Sequence, residues 1–242
     1  MCVFAHPEGL HADLRIEGNH IHHVCTETDD CGAIYTGRDY TARGNVVRHN
    51  LIADVIGNKH LAIGIYMDDC VSGQTIEGNI IVHARMAMLL GGGRDLVVRS
   101  NLLLDCDQGI RIDGRGLSDA PVWRNMVYRI MKERLDAMRP HEPPYSEAYP
   151  ELAELDAFYA ADDGIPPKVV LERNIAGYGA LCRIHWGAND AHVTQVDNLW
   201  GGDPGVEAGS FRLRKAGPGR ALGFAEIPLG RIGPGRSALG PE

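Results

Sequence analysis

The chain has 242 residues, of which 44% are hydrophobic and only 6% aromatic, with 30 glycines and a formal net charge of −8. An acidic balance with no basic segment argues against nucleic acid and an anionic membrane surface as main partners. No apolar run approaches the roughly 18 residues of a membrane span, so the expected core is aliphatic, built from short elements joined by tight turns.

Taken from the N-terminus, "MCVFAHPEGLHADLRIEGN" reads as lacking a signal peptide, because no basic stretch precedes an apolar one. From residue 14 a pattern begins and keeps returning: "LRIEGNHIHHV", "NVVRHNLIADV", "QTIEGNIIVHA", "DLVVRSNLLLDC", then "PVWRNMVYRI", "KVVLERNIAGY" and "HVTQVDNLW". Its anchors are Asn19, Asn50, Asn79, Asn101, Asn125, Asn174 and Asn198, spaced 22–31 residues apart except for one interval of 49. A fixed period of this length marks a stack of repeats. The Leu-x-x-Leu-x-Leu frame of leucine-rich repeats is missing. Instead β-branched residues alternate on both sides of the Asn, and each unit carries a further short strand ("GAIYTG", "GIYMDD", "AMLLGG", "GIRIDG", "LCRIHW"). The pattern predicts an all-β chain, a parallel β-helix of about seven rungs, with the asparagine amides stacked as a ladder at one corner. We expect a single domain over residues 1–242. The doubled interval, 131–167, is read as a partly helical insertion folded over one face, because "SEAYPELAELDAFYA" spaces its apolar residues three and four apart. Residues 201–242 are read as an extended closing segment. The six cysteines, Cys2, Cys25, Cys31, Cys70, Cys106 and Cys182, include no C-x-x-C and read as small buried hydrophobes.

The stretches "TDDCGAIYTGRDYTARGNVVRHN", "GIYMDDCVSGQTIEGNI", "LLGGGRDLVVRSNLLLDC" and "RIDGRGL" resemble bacterial right-handed parallel β-helix repeat proteins. Within that pectin lyase-like fold they are similar to the glycoside hydrolases that include α-L-fucosidase and xylanase members. The resemblance implies a right-handed coil and an activity in polysaccharide degradation. Such relatives are secreted or periplasmic and longer at the N-terminus. It therefore implies a truncated start, with an open strand edge near residues 14–24 that would template self-association. It also makes Asp30 a catalytic candidate, through the match of "DDCGAIY" to the relatives' "DTGA-Y".

Aligning the second strands gives columns. Ile34, Ile65, Met88, Ile110 and Cys182 point inward, as do Thr36, Met67, Leu90, Ile112 and Ile184. Outward lie Tyr35, Tyr66, Leu89, Arg111 and Arg183, then Gly37, Asp68, Gly91, Asp113 and His185. Carboxylates beside tyrosines and arginines suit a sugar. Asp68, Asp69, Asp113 and Asp30 are the candidate catalysts; Tyr35, Tyr66, Arg111, Arg183, His185 and Trp186 are the candidate substrate-binding residues. Gly91 is expected to leave room between Asp68 and Asp113, about 9–10 Å apart at the backbone. That suits an inverting pair, which needs roughly 6.5–9.5 Å; Asp68 or Asp69 with Asp39 would instead give the roughly 5–5.5 Å of a retaining pair. Ordinary turn capping stays open for the same aspartates. Asp39 and Asp95, each after an arginine, read as corner-stiffening pairs. His20, His22 and His23 cannot converge on a metal without a bend in the strand, so no metal site is expected. The runner-up reading is a Ca²⁺-dependent polysaccharide lyase drawing ligands from Glu27, Asp29, Asp30, Asp68 and Asp69. The non-enzymatic rival is a carbohydrate-binding or structural module.

Overall fold

A computed structural model describes residues 13–57 and 61–234. The strand before each ladder asparagine enters one sheet: β1 (Arg15–Glu17), β4 (Asn45–Arg48), β7 (Gln74–Glu77), β9 (Leu96–Arg99), β11 (Val169–Glu172) and β14 (Val193–Val196) lie side by side in that order, all parallel. The strands after it enter an eight-stranded parallel sheet. β2 (His20–His22), β5 (Leu51–Val55), β8 (Ile80–Gly91), β10 (Leu102–Asp113) and β12 (Ile175–Ala176) form its main path. β3 (Cys31–Gly37) and β6 (Ala62–Asp68) join through β8, and β13 (Cys182–His185) joins through β10.

The asparagines are the seam between these sheets. Asn19, Asn50, Asn79, Asn101, Asn174 and Asn198 pass hydrogen bonds along the stack. Each side-chain carbonyl accepts both the backbone N–H and the Nδ2 of the preceding asparagine, at 2.8–3.1 Å. The residue before each one (Gly18, His49, Gly78, Ser100, Arg173, Asp197) has φ between +51° and +70°, the left-handed backbone that makes the corner. Between the sheets the core is columnar: Val47, Ile76, Val98 and Leu171 face Ile52, Ile81, Leu103 and Ala176, with Ile34, Ile65, Met88 and Ile110 on a third side. The other face of the eight-stranded sheet is covered as well. Leu51, Ile80, Leu102 and Ile175 pack under Leu213, Phe224, Ile227 and Ile232 of the C-terminal segment. That segment runs back along the stack until the Gly233 N–H meets the Gly18 carbonyl at 2.8 Å.

The expected all-β, seven-rung closed β-helix is corrected. The strands group into two parallel sheets with helices packed beside them, an arrangement of α/β type, and six asparagines rather than seven make the ladder. Asn101 bonds Asn174 directly, and Asn125 lies in a helix. The segment "PVWRNMVYRI" carries an Asn but not the strand alternation. Trp123, Val127 and Met131 fall four apart, and Pro121 sits at the first helical position, where its fixed φ favours a helix. Helix α1 (Pro121–Asn125) continues through a π-helical stretch (Met126–Met131) into α2 (Lys132–Ala137). After it come α3 (Tyr145–Ala148) and α4 (Glu154–Ala161), with a 3-10 turn (Pro150–Ala153) between them where Pro150 interrupts the expected helix. These helices bury Met126, Val127, Met131, Leu135, Leu152 and Leu155, together with Ile165, against Tyr40 and Cys70 of the stack. Arg94 fastens them: its guanidinium bonds Glu154 at 2.8 Å and the Pro166 carbonyl at 2.9 Å, and lies over the Phe158 ring. The insertion is therefore seated on the stack by its own small core.

Asn79→Leu should destabilise the protein by about 1–3 kcal/mol, because it strips partners from buried amides above and below. Asn125→Ala, whose exposed amide accepts from Arg129 alone among the described residues, should stay within about 0.5 kcal/mol of the parent. Denaturant melts of the two variants check this. An equal loss in both would mean that the ladder contributes nothing special.

Candidate functional site

The register of the second strands is the one read from the columns. Ile34 pairs Ile65, Ile65 pairs Met88, Met88 pairs Ile110 and Ile110 pairs Cys182. Gly37 is therefore opposite Asp68, Gly91 opposite Asp113, and Asp113 opposite His185. Above this face is a cavity of about 310 Å³, open to solvent, whose lining includes Asp30, Arg38, Tyr66, Asp68, Asp69 and Arg115. Leu61, Leu89, Arg111, Trp123 and Trp186 complete it.

Arg115 organises the site. One of its nitrogens, Nη1, bonds both Asp68 and, at 2.7 Å, Asp69, while Nη2 lies 3.5 Å from Asp113 Oδ2 and from the Tyr66 hydroxyl. Its guanidinium is bordered by the rings of Trp123, Trp186 and Tyr66, with centroids 5.2–6.0 Å away. Burial opposes the charge on Arg115, but Asp68, Tyr66 and Asp69 outweigh it and hold the group above its ordinary range. Each aspartate has a second partner. The Tyr35 hydroxyl donates to Asp68 at 2.8 Å, Arg38 Nε to Asp69 at 2.7 Å, and Arg111 Nε to Asp113 at 2.8 Å. Tyr35 and Tyr66 meet edge to face at 5.1 Å, and Tyr66 donates to Asp30 at 3.0 Å. Burial pushes both phenols above their usual range, and the adjoining Asp68 carboxylate adds to it.

Asp69 follows Asp68 directly, and strand alternation would send it to the opposite face. Its φ of +40° turns the chain at the strand end instead, and both carboxylates meet the same guanidinium. The same corner holds Arg38 at φ +66° and Trp186 at φ +51°. Asp113 is fully buried behind Arg111 and Arg115 and is not part of the cavity wall, and its Oδ2 has no hydrogen bond among the described residues. Room was expected over Gly91, but a Cβ there would lie 3.2 Å from the Arg115 guanidinium, which fills that space. The Asp68–Asp113 pair expected to hold a water therefore holds an arginine. Arg183 and His185 are exposed on β13, beside the cavity but not in its wall. Asp39 turns into its own loop, bonding the Thr41 N–H at 2.7 Å, and Asp95 pairs with Arg43 and Lys168. The sequence reading missed Trp123, because its segment was taken for a strand. It places Arg115 at a strand end beside the column of carboxylates but gives it no partner.

His23 has φ +53°, which supplies the bend the histidines needed, and the Nδ1 atoms of His22 and His23 approach to 2.9 Å. Even so, among the described residues no three His, Cys, Asp or Glu side chains are grouped to hold a metal. The Ca²⁺ ligand set of the lyase reading does not fit. Asp29 accepts the Leu61 N–H, and Asp68 and Asp69 face Arg115. No family model, no curated protein and no solved structure matches this chain. Together with the two-sheet architecture, this corrects the resemblance to the β-helical glycoside hydrolases, and nothing is carried over from that family.

The buried ion cluster sets a stability expectation. Arg115→Met leaves Asp68, Asp69 and Asp113 without their shared counter-charge and should cost about 3–5 kcal/mol. Urea unfolding reads this directly, and a loss below about 1 kcal/mol would show that water screens the cluster.

Proposed function

We propose that the protein is a carbohydrate-active enzyme that hydrolyses a glycosidic bond in the cleft over Tyr66, with Asp68 and Asp69 as the reacting pair. One observation carries the reading: two carboxylates share a single arginine nitrogen at the wall of a solvent-open cavity edged by Trp123 and Trp186. Indole faces take the C–H surfaces of a sugar ring, while arginines and carboxylates take its hydroxyls. Oxygens that bond one nitrogen are closer together than the roughly 6.5 Å minimum of an inverting pair, so the geometry favours retention. In that chemistry one carboxylate attacks the anomeric carbon while the other carboxyl protonates the departing oxygen. Water, deprotonated by the second group, then releases the sugar. Arg115 holds both groups in position, and helix α1 contributes Trp123 to the rim.

Asp68→Asn and Asp69→Asn should each lower the rate by about 10²–10⁴-fold. Because both side chains are buried, folding must be checked alongside. The measurement is hydrolysis of aryl-glycosides and plant polysaccharides, with the anomer of the first product followed by NMR. A retained anomer is expected, and inversion would remove the shared-nitrogen pair from the mechanism. Full activity in both variants would place the chemistry elsewhere. Retention of sugars by the parent with no turnover on any substrate would make the cleft a binding site only.

A further inference from the structure

Opposite charges alternate along the outer face of the six-stranded sheet. Glu17, Arg48, Glu77, Arg99 and Glu172 are successive register partners, with ion pairs between the first four. At the edge of the cleft the same kind of position breaks this rule. Arg111 on β10 is the direct register partner of Arg183 on β13, so two guanidiniums leave the same face of neighbouring strands, about 4.8 Å apart at the backbone. Like charges directly opposite one another destabilise a sheet. Asp113 takes the Nε of Arg111, whose remaining nitrogens make no hydrogen bond among the described residues. Arg183 is exposed and has neither a hydrogen bond nor an ion pair among the described residues. Elsewhere in the cleft Arg115 is engaged by three carboxylates, those of Asp68, Asp69 and Asp113. Beside the pair stands Trp186, 54% exposed, with Arg111 5.1 Å from its ring centroid.

We infer that Arg111 and Arg183 form an anion subsite at the rim of the cleft, which takes a carboxylate or sulfate group carried by a sugar ring lying against Trp186. The inference rests on the carbohydrate reading above and narrows it to acidic saccharides. The exposed guanidinium of Arg183 and the Nη atoms of Arg111, whose Nε is held by Asp113, offer N–H donors that match the oxygens of either group. A bound anion would relieve the repulsion that the register imposes.

The test is equilibrium binding to the full chain, using penta-galacturonic acid, a sulfated carrageenan pentasaccharide and neutral cellopentaose. At least one acidic probe should bind tenfold or more tightly than the neutral one, and the two acidic arms show which anion fits. Arg183→Gln removes an exposed charge without touching the buried cluster and should abolish that preference. Lys215→Gln, an equal loss of charge on the C-terminal segment, should leave it intact. Arg111→Gln should act as Arg183→Gln does, if its fold survives. Equal affinity for all three probes, no binding of any, or a preference that survives Arg183→Gln would overturn the subsite. Because binding is read without turnover, an intact preference with no hydrolysis sinks the hydrolase alone. Hydrolysis of neutral sugars with no preference sinks the subsite alone.

Discussion

The amide of each buried asparagine is the constraint on which the rest depends. Asn79 shows the pattern. Its carbonyl accepts from the backbone N–H and Nδ2 of Asn50, and its own Nδ2 donates to the Val47 carbonyl and to Asn101. Every polar atom of the side chain is thus satisfied at a site with no access to water, where an unmade bond would cost about 1–3 kcal/mol. Those bonds also hold the preceding residue in left-handed backbone. Four of the six are not glycine, and each costs about 1–2 kcal/mol by itself. Repeating one corner in one geometry removes any freedom to slip, so every side chain further along a repeat stands above its counterpart in the last.

Register turns a sequence pattern into a functional surface. Once Gly37, Asp68, Gly91, Asp113 and His185 are aligned, glycine alternating with aspartate leaves slots between acidic groups. Arg115 enters the slot above Gly91 from the turn that leaves the stack. Burying this much charge is costly unless each member is paired. The pairing is dense: three aspartates are shared among Arg38, Arg111 and Arg115, with tyrosine hydroxyls on Asp68 and Asp30. Such pairing fixes the position of every carboxylate, which is what the proposed reaction of Asp68 with Asp69 requires.

Two segments outside the repeat make the stack into a closed body. The C-terminal run covers the outer column Leu51, Ile80, Leu102 and Ile175, which explains why the strands after each asparagine are apolar on both faces. The helices from α1 to α4 cover the stack at Tyr40 and Cys70, and α1 brings Trp123 to the cleft. Both attach through small cores of their own as well as through polar contacts, as in the Arg94–Glu154 pair and the Arg134 bond to the Arg38 carbonyl.

The sequence by itself determined the repeat, its asparagine anchors and the strand register, because a period-two pattern anchored on a residue that must hydrogen-bond its own copies admits one alignment. It also placed Asp68, Tyr66, Arg111 and Asp113 on one face. It misled at "PVWRNMVYRI", where one asparagine suggested a repeat although the apolar residues recur every four positions and fold as a helix. Only the tertiary structure decided that two sheets and a set of helices replace the closed coil, that Asp69 turns back to join Asp68, and that Arg115 rather than water occupies the gap over Gly91. Those outcomes depend on left-handed corners and on segments returning from far along the chain. Strand alternation encodes only which face of its own strand a residue takes, and it is silent on what arrives there from elsewhere.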